Sequence, residues 1–356
     1  MRQAGRRITQ RDIARLAGVS QAAVSAVVTG RMQGSVRIPE ETQTRIRQVI
    51  EETGYVADPA ARTLTQNWNR ILGVFTFESV FPNESADFYH PFLLGIEQSA
   101  EQYRQDLLLF TSTPQEQETR RRSLGRDSRL RLADGCILLG RQISRDELAN
   151  LNAREYPFVV IGRREHAGGL VPFVGADYAH ATESALQRAE ALGHHRFVYL
   201  CRPSAVESSV DRRKGVTMFA ERAGMEVIDV RADSTPPEDV ALMMMRQGFT
   251  ALVAEEGADA VEFVVAARNV GIDVPEQISV VSLGDPTRPA AAKIDVSGFH
   301  VPRVAMGRLA VTVLVAQIRA DDTVAPQQLV TCEEAAGSTL APPRPAQSRM
   351  SGAQSQ

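Results

Sequence analysis

Along the first sixty residues, apolar positions recur at helical spacing in three short blocks. Ile13, Ala14, Leu16 and Ala17 form the first stripe, Val24, Val27 and Val28 the second, and Ile46, Val49 and Ile50 the third. Small and polar residues punctuate them. Thr9 precedes Asp12 by three positions, a capping-box-like helix start. Gly18 follows the first stripe and turns the chain with a positive φ at no steric cost. Val19 plugs the core, and Ser20 is a good N-cap for a second helix from about Gln21 to Thr29, stopped by Gly30. A third helix begins at Pro39 and runs to Gly54. Two short helices joined by a three-residue turn predict a helix-turn-helix head. Its second helix turns Gln21, Ala22, Ser25 and Ala26 outward.

Beyond residue 70 the pattern changes to short apolar runs alternating with longer amphipathic stretches. The runs predict strands at Ile71–Phe77, Asp106–Phe110, Gly135–Leu139, Phe158–Ile161, Phe173–Gly175, Arg196–Cys201, Ala251–Ala254 and Ser279–Leu283. Helices between them include Phe92–Tyr103, Ala179–Leu192, Arg213–Ala223 and Ala258–Val270. Strand–helix alternation of this length implies two lobes of parallel sheet covered by helices. The fold class is therefore a small all-α helix-turn-helix head followed by an α/β core of two doubly wound parallel-sheet lobes. Between head and core, Asp58 can cap, Pro59 can open, and Ala60 to Leu64 can form a helix of one or two turns that is marginal in water alone.

Charge sharpens the picture of the head. Residues 1–70 hold 11 Arg and six acidic residues, about +5, against about −8 for the rest of the 356-residue chain. Arg2, Arg6, Arg7, Arg11 and Arg15 are candidate phosphate contacts. An Arg-rich start with no apolar stretch before Ile8 carries no signal-peptide pattern, and no apolar run is long enough to span a membrane. Cys136, Cys201 and Cys332 lack metal spacing, and the first two lie in apolar runs as buried thiols of a cytoplasmic protein. His194 and His195 sit in a turn before a strand, a structural place, and no metal is expected. No phosphate-binding loop or hydrolase motif is present, so neither an enzyme nor a cofactor is predicted. The Pro-, Ser- and Gln-rich stretch 341–356 reads as a disordered tail.

The segments DIARLAGVSQAAVSAVVTGR, RIPEETQTRI and GYVADPAARTL resemble the lactose/galactose repressor (LacI/GalR) family of bacterial transcription regulators. The likeness continues through LGHHRF at 192–197, DRRKG at 211–215 and GIDVPEQISVVS at 271–282. It implies a sequence-specific regulator, a repressor of a carbohydrate-utilisation operon, with near-palindromic double-stranded operator DNA, a sugar-like small-molecule effector and a second copy of the chain as partners. In the family the hinge orders on DNA in the dimer, and Leu64 matches the Leu that wedges into the minor groove. Ala61 and Arg62 accompany it. The base-reading positions fall on Gln21, Ala22, Ala23 and Ala26. Of these only Gln21 can make a bidentate contact, so DNA deformability must carry more of the specificity. Thr9, Arg11, Ser20, Ser25 and Arg31 complete the DNA-facing set. The implied division is a head over 1–57, a hinge over 58–70 and a core over 71–340. Lobe 1 takes 71–176 and 299–321, and lobe 2 takes 177–298 and 322–340, with crossovers near Asp177, Gly298 and Asp322.

The resemblance places effector contacts between the lobes at Phe88, Tyr89, Asp177, Arg212, Glu255, Asp285 and Arg303. Each has a bland alternative: an aromatic core anchor for Phe88 and Tyr89, hinge structure for Asp177, and a salt bridge to Asp211 or another acid for Arg212. The family's sugar-binding Asp falls on Gly284 and its Asn on Glu255, so an ordinary hexose is less secure as effector. Glu255 and Arg303 are expected to pair across the cleft and hold it closed without ligand. Two other readings stay open, a ligand-independent DNA-binding regulator and a cytoplasmic solute-binding protein.

Overall fold

The computed structural model describes residues 8–29, 38–55, 69–76, 88–110, 128–140 and 143–344. The chain divides into two compact units, residues 1–70 and 71–356. In the first, α1 (Gln10–Ala17), α2 (Gln21–Thr29) and α3 (Glu40–Thr53) close over Ile13, Ala14, Ala17, Val24 and Ile46. The capping box at Thr9 forms as expected: Thr9 Oγ1 accepts from the Asp12 backbone N–H at 3.3 Å, and Asp12 accepts from the Thr9 N–H at 3.0 Å. Gly18 takes the left-handed conformation and ends α1. Leu16 departs from the expected stripe and is 55% exposed, because Ile13, Ala14 and Ala17 already cover the contact with α2 and α3.

The second unit holds two six-stranded sheets. The first contains β1 (Ile71–Thr76), β2 (Asp106–Phe110), β3 (Gly135–Leu139), β4 (Phe158–Ile161), β5 (Phe173–Ala176) and, much later, a strand at Gln327–Val330. Its order is Gln327–Val330, β5, β4, β3, β1, β2, and every pairing is parallel. The second contains β6 (Arg196–Cys201), β7 (Glu226–Arg231), β8 (Ala251–Ala254), β9 (Ser279–Ser282), β10 (Ser297–His300) and a strand at Glu333–Ala335. Numbered in sequence, Gln327–Val330 is β11 and Glu333–Ala335 is β12. The second order is β12-β10-β9-β8-β6-β7, parallel except for the antiparallel β12 edge.

Helices cover both sheets. Lobe 1 carries α4 (His90–Gln102) and α5 (Arg145–Ala153), and lobe 2 carries α6 (Tyr178–Ala191), α7 (Glu207–Ala223), α8 (Pro237–Gln247) and α9 (Gly257–Asn269). The chain then re-enters lobe 1 as α10 (Arg303–Arg319), which packs beside α4. That approach requires glycine. A Cβ on Gly95 would lie 2.1 Å from the Val304 carbonyl oxygen, and one on Gly307 would lie 2.3 Å from that of Phe92. The close crossing brings the starts of α4 and α10 together, and with them Phe88 and Arg303.

The crossovers differ in detail from the expected boundaries. The first falls at Asp177, between β5 and α6. The second follows His300, near the expected Gly298, since Phe299 and His300 still pair with β12. The third lies at Thr331–Cys332, not near Asp322, because β11 pairs with β5 of lobe 1 before the chain returns to lobe 2. The expected tail also begins too early. Ala341 is tied to lobe 2, donating its N–H to Ser279 Oγ at 3.1 Å and accepting from His194 Nε2 at 2.8 Å.

Candidate functional site

Two places in the molecule carry chemistry. On the head, Ser20 Oγ accepts from the Ala23 N–H at 3.2 Å and opens α2. Gln21 and Ala22 are then exposed, and Ser25 and Ala26 are half-buried on a side of α2 away from fully buried Val24. Ala23 is half-buried and packs partly against the head core, with Val27 and Val28. Thr9, Arg11 and Ser20 are exposed. Arg31, Ala61, Arg62 and Leu64 lie outside the described residues, as do Arg2, Arg6 and Arg7.

The second place is the cleft between the lobes, where the strand order of each sheet brings its carboxyl ends together. A cavity of about 90 Å³ lies there, lined by Phe88, Tyr89, Phe92, Tyr178, Ser208 and Asp211 among others. Phe88 meets Tyr89 edge-on at 5.0 Å between ring centres and Phe92 at 5.7 Å. Tyr89 is buried, so it is both core anchor and cavity wall.

Two guanidinium groups, Arg163 and Arg164, line this space, and two more, Arg212 and Arg303, stand over its rings Tyr178 and Phe88. Arg163, just past β4, makes a bidentate pair with Asp211 of α7, at 2.7 and 2.8 Å. Hydrogen bonding to Asp211 raises its pKa further. Arg164 donates to the Arg163 and Gly140 carbonyls at 2.8 Å each and lies 3.4 Å from Glu207. Burial lowers its pKa, with Glu207 opposing. Both pairs join lobe 1 to lobe 2. Arg212 of α7 donates through Nε to the Leu283 carbonyl at 2.6 Å and through Nη1 to that of Ser208 at 3.1 Å. Its guanidinium lies 3.8 Å over the Tyr178 ring. Arg303 lies 4.9 Å over Phe88, with Nη2 3.9 Å from Asp285.

These contacts overturn the expected clasp. Glu255 does not pair with Arg303. It accepts the hydroxyl of buried Tyr199 at 3.0 Å, within lobe 2. The lobes are bridged instead by Arg163 with Asp211 and Arg164 with Glu207. Arg212 does not bond Asp211, because that carboxylate is taken up by Arg163. Asp177 has a local role, capping α6 by accepting from the His180 N–H at 3.2 Å. Asp285 likewise holds the second crossover, accepting from His300 Nδ1 at 2.6 Å and the Val301 N–H at 2.9 Å. Sequence reasoning missed Arg163, Arg164, Tyr178, Glu207 and Asp211. The available signal was the pair of arginines directly after the apolar run FVVIG.

Elsewhere the polar groups are structural. His194 is fully buried with both ring nitrogens engaged, by Thr250 Oγ1 at 2.9 Å and by Ala341, and burial lowers its pKa. The three cysteines are free, and burial pushes the Cys332 thiol up to about 12. Among the described residues no group of His, Cys, Asp and Glu is arranged to hold a metal ion, and no helix is long and apolar enough to cross a membrane.

A helix-turn-helix head on a two-lobed, cleft-bearing core defines a class: a DNA-binding regulator whose core has the architecture of a small-molecule receptor. Residues 9–58 match the model for bacterial regulatory proteins of the lacI family, and residues 186–339 match a periplasmic binding protein-like domain. The chain thus carries the DNA-binding domain of the lacI family of bacterial regulatory proteins, followed by a periplasmic binding protein-like domain. It is 26% identical over 318 residues to the HTH-type transcriptional regulator AscG of Escherichia coli K12, covering 87% of this chain and 89% of that protein. In three dimensions it is similar to the lac repressor dimer bound to operator and the anti-inducer ONPF, with a TM-score of 0.72 at 19% identity, covering 94% of this chain and all of that one. It is also similar to the transcriptional regulator CelR in its cellobiose complex, with a TM-score of 0.60 at 23% identity over 94% of this chain.

Proposed function

We propose that this protein is a dimeric repressor of a carbohydrate-utilisation operon whose operator affinity is set by a small molecule bound in the interlobe cleft. The observation that carries the DNA half is α2, which presents Gln21 and Ala22 outward while Val24 seals the head core behind them. Thr9, Arg11, Ser20, Ser25 and Ala26 border that face, and Arg31, Ala61, Arg62 and Leu64 are assigned to the same operator contact. Two heads of a dimer would read half-sites of a near-palindromic operator. The effector half is supported by the aromatic and guanidinium lining of the cleft, and by relatives caught with ONPF and with cellobiose. Phe88, Tyr89, Arg212 and Arg303 are its assigned contacts, with Asp177 and Asp285 holding the crossovers on either side.

The test is recovery of genomic DNA fragments by the purified full-length protein at physiological salt. A recurrent short palindrome is the expected result. Gln21→Ala should then weaken binding to it by about 1–3 kcal/mol, the worth of a bidentate base contact. Binding without sequence preference that vanishes as salt rises would overturn the reading. A ligand-independent regulator is the second reading, favoured by the two ion pairs that already bridge the lobes. Operator affinity unmoved by any metabolite, with the palindrome intact, would select it.

A further inference from the structure

The cleft holds cations whose charge no carboxylate takes up by hydrogen bonding. Arg212 is nine-tenths buried, yet among the described residues it donates only to two main-chain carbonyls. Its Nη2 points to the side of Gly284, where a Cβ would stand 3.1 Å away. That residue has φ near +135°, so the backbone itself favours leaving the space beside Nη2 without a side chain. The Arg303 side chain is 10% exposed, and its buried Nε has no hydrogen-bond partner among the described residues. Among the described residues its ion-pair contact is with Asp285 at 3.9 Å, beyond hydrogen-bond reach. Asp285 meanwhile serves His300 and the Val301 N–H. Burial lowers the pKa of Arg303, with Asp285 opposing.

A buried guanidinium is costly unless it is paired and hydrogen-bonded. Stacking on Tyr178 and Phe88 offsets part of that cost. The two rings also wall the cavity, and the two guanidinium groups stand against those rings, close enough for the charge of Arg212 to act on Arg303. Lobe 1 adds Arg163 and Arg164, but these already have Asp211 and Glu207.

Resting on the effector reading above, we propose that the molecule this cleft takes carries an oxyanion, a carboxylate or a phosphate, and that Arg212 and Arg303 hold it. The apolar remainder of the ligand stacks on Phe88 and Tyr178. A planar guanidinium fork suits such oxygens far better than it suits sugar hydroxyls.

The experiment is thermal melting of the full chain against matched probes: glucose, glucuronate, glucose 6-phosphate and inorganic phosphate, with sodium chloride at equal ionic strength as control. At least one oxyanion probe should raise Tm saturably, at a half-saturating concentration tenfold or more below that of glucose. Preference between glucuronate and glucose 6-phosphate decides carboxylate against phosphate. Arg303→Gln and Arg212→Gln should each weaken that response tenfold or more, and at least one should melt no lower than wild type without ligand. If glucose stabilises as well as its charged forms, and Arg303→Gln leaves this unchanged, the anion inference falls and the effector reading stands. If no probe acts beyond sodium chloride, the anion inference also falls. The effector reading falls with it if a small-molecule cell extract leaves operator affinity unmoved.

Discussion

Lobe 1 and lobe 2 share a strand order, with the second strand at one edge and the first and third beside it, yet their strand ends carry opposite chemistry into the cleft. Lobe 1 brings rings and cations, in Phe88, Tyr89, Arg163 and Arg164. Lobe 2 brings the carboxylates that answer them, Asp211 and Glu207, on a helix that also bears Arg212. A repeated architecture thus supplies two similar frames, and the residues just beyond the strand ends decide what the frames hold between them. In the same frames the helix contacts differ as well. Lobe 1 relies on a helix, α10, that enters from the far side of lobe 2 in sequence.

The largest way to break the comparison is to hollow one lobe at a time. Phe219→Ala in lobe 2 and Ile96→Ala in lobe 1 both remove fully buried side chains. They should cost about 3–5 and about 2–5 kcal/mol respectively. Denaturant unfolding followed by circular dichroism checks this; a second transition in one variant only would show that the lobes unfold separately. Next in size is Gly307→Val, which drives a side chain into the Phe92 carbonyl oxygen of α4. It should cost at least about 1–3 kcal/mol and perturb the Phe88–Arg303 contact, read as weaker ligand stabilisation.

Asp211→Asn sharpens the electrostatic contrast. It should loosen the bridge from Arg163, worth about 1 kcal/mol for a pair with this much solvent access. A larger radius of gyration in solution scattering is the expected reading, and the exchange of Arg163→Asp with Asp211→Arg should restore it. The smallest effect lies in lobe 2 alone. His194 has a lowered pKa in the folded state, so the unfolded chain takes up its proton first as pH falls below the ordinary value of 6.5. Stability should therefore be full above that pH and decline below it. His194→Gln should flatten the decline in melting curves between pH 7 and 5; an unchanged slope would assign it to other groups.

Much of the fold was legible because it depends on local pattern. The three head helices and most of the central strands follow from periodicity and caps, and strands such as Gly135–Leu139 and Ala251–Ala254 coincide with their expected bounds. The elements that escaped did so for physical reasons. The helix Arg303–Arg319 is apolar on nearly every side, since it packs on both the lobe 1 sheet and α4, and so shows no single stripe. Strands β7, β11 and β12 lie at or next to sheet edges and carry polar residues that have no alternating signature.

The site divided along the same line. Phe88 and Tyr89 were placed in the cleft by the likeness to a known family, and both line the cavity. The ion-pair partners were not so placed. Arg163 and Asp211 are 48 positions apart, and nothing in either neighbourhood names the other.

By itself the sequence determined where helices start and stop, which runs become strands, and that a basic head precedes an α/β core, because caps, turns and periodicity act over a few residues. Only the tertiary structure decided which carboxylate each arginine meets, that Glu255 serves Tyr199, and that β11 returns to lobe 1. Charge pairing and burial act through space, and the sequence separation of two groups does not encode the distance between them.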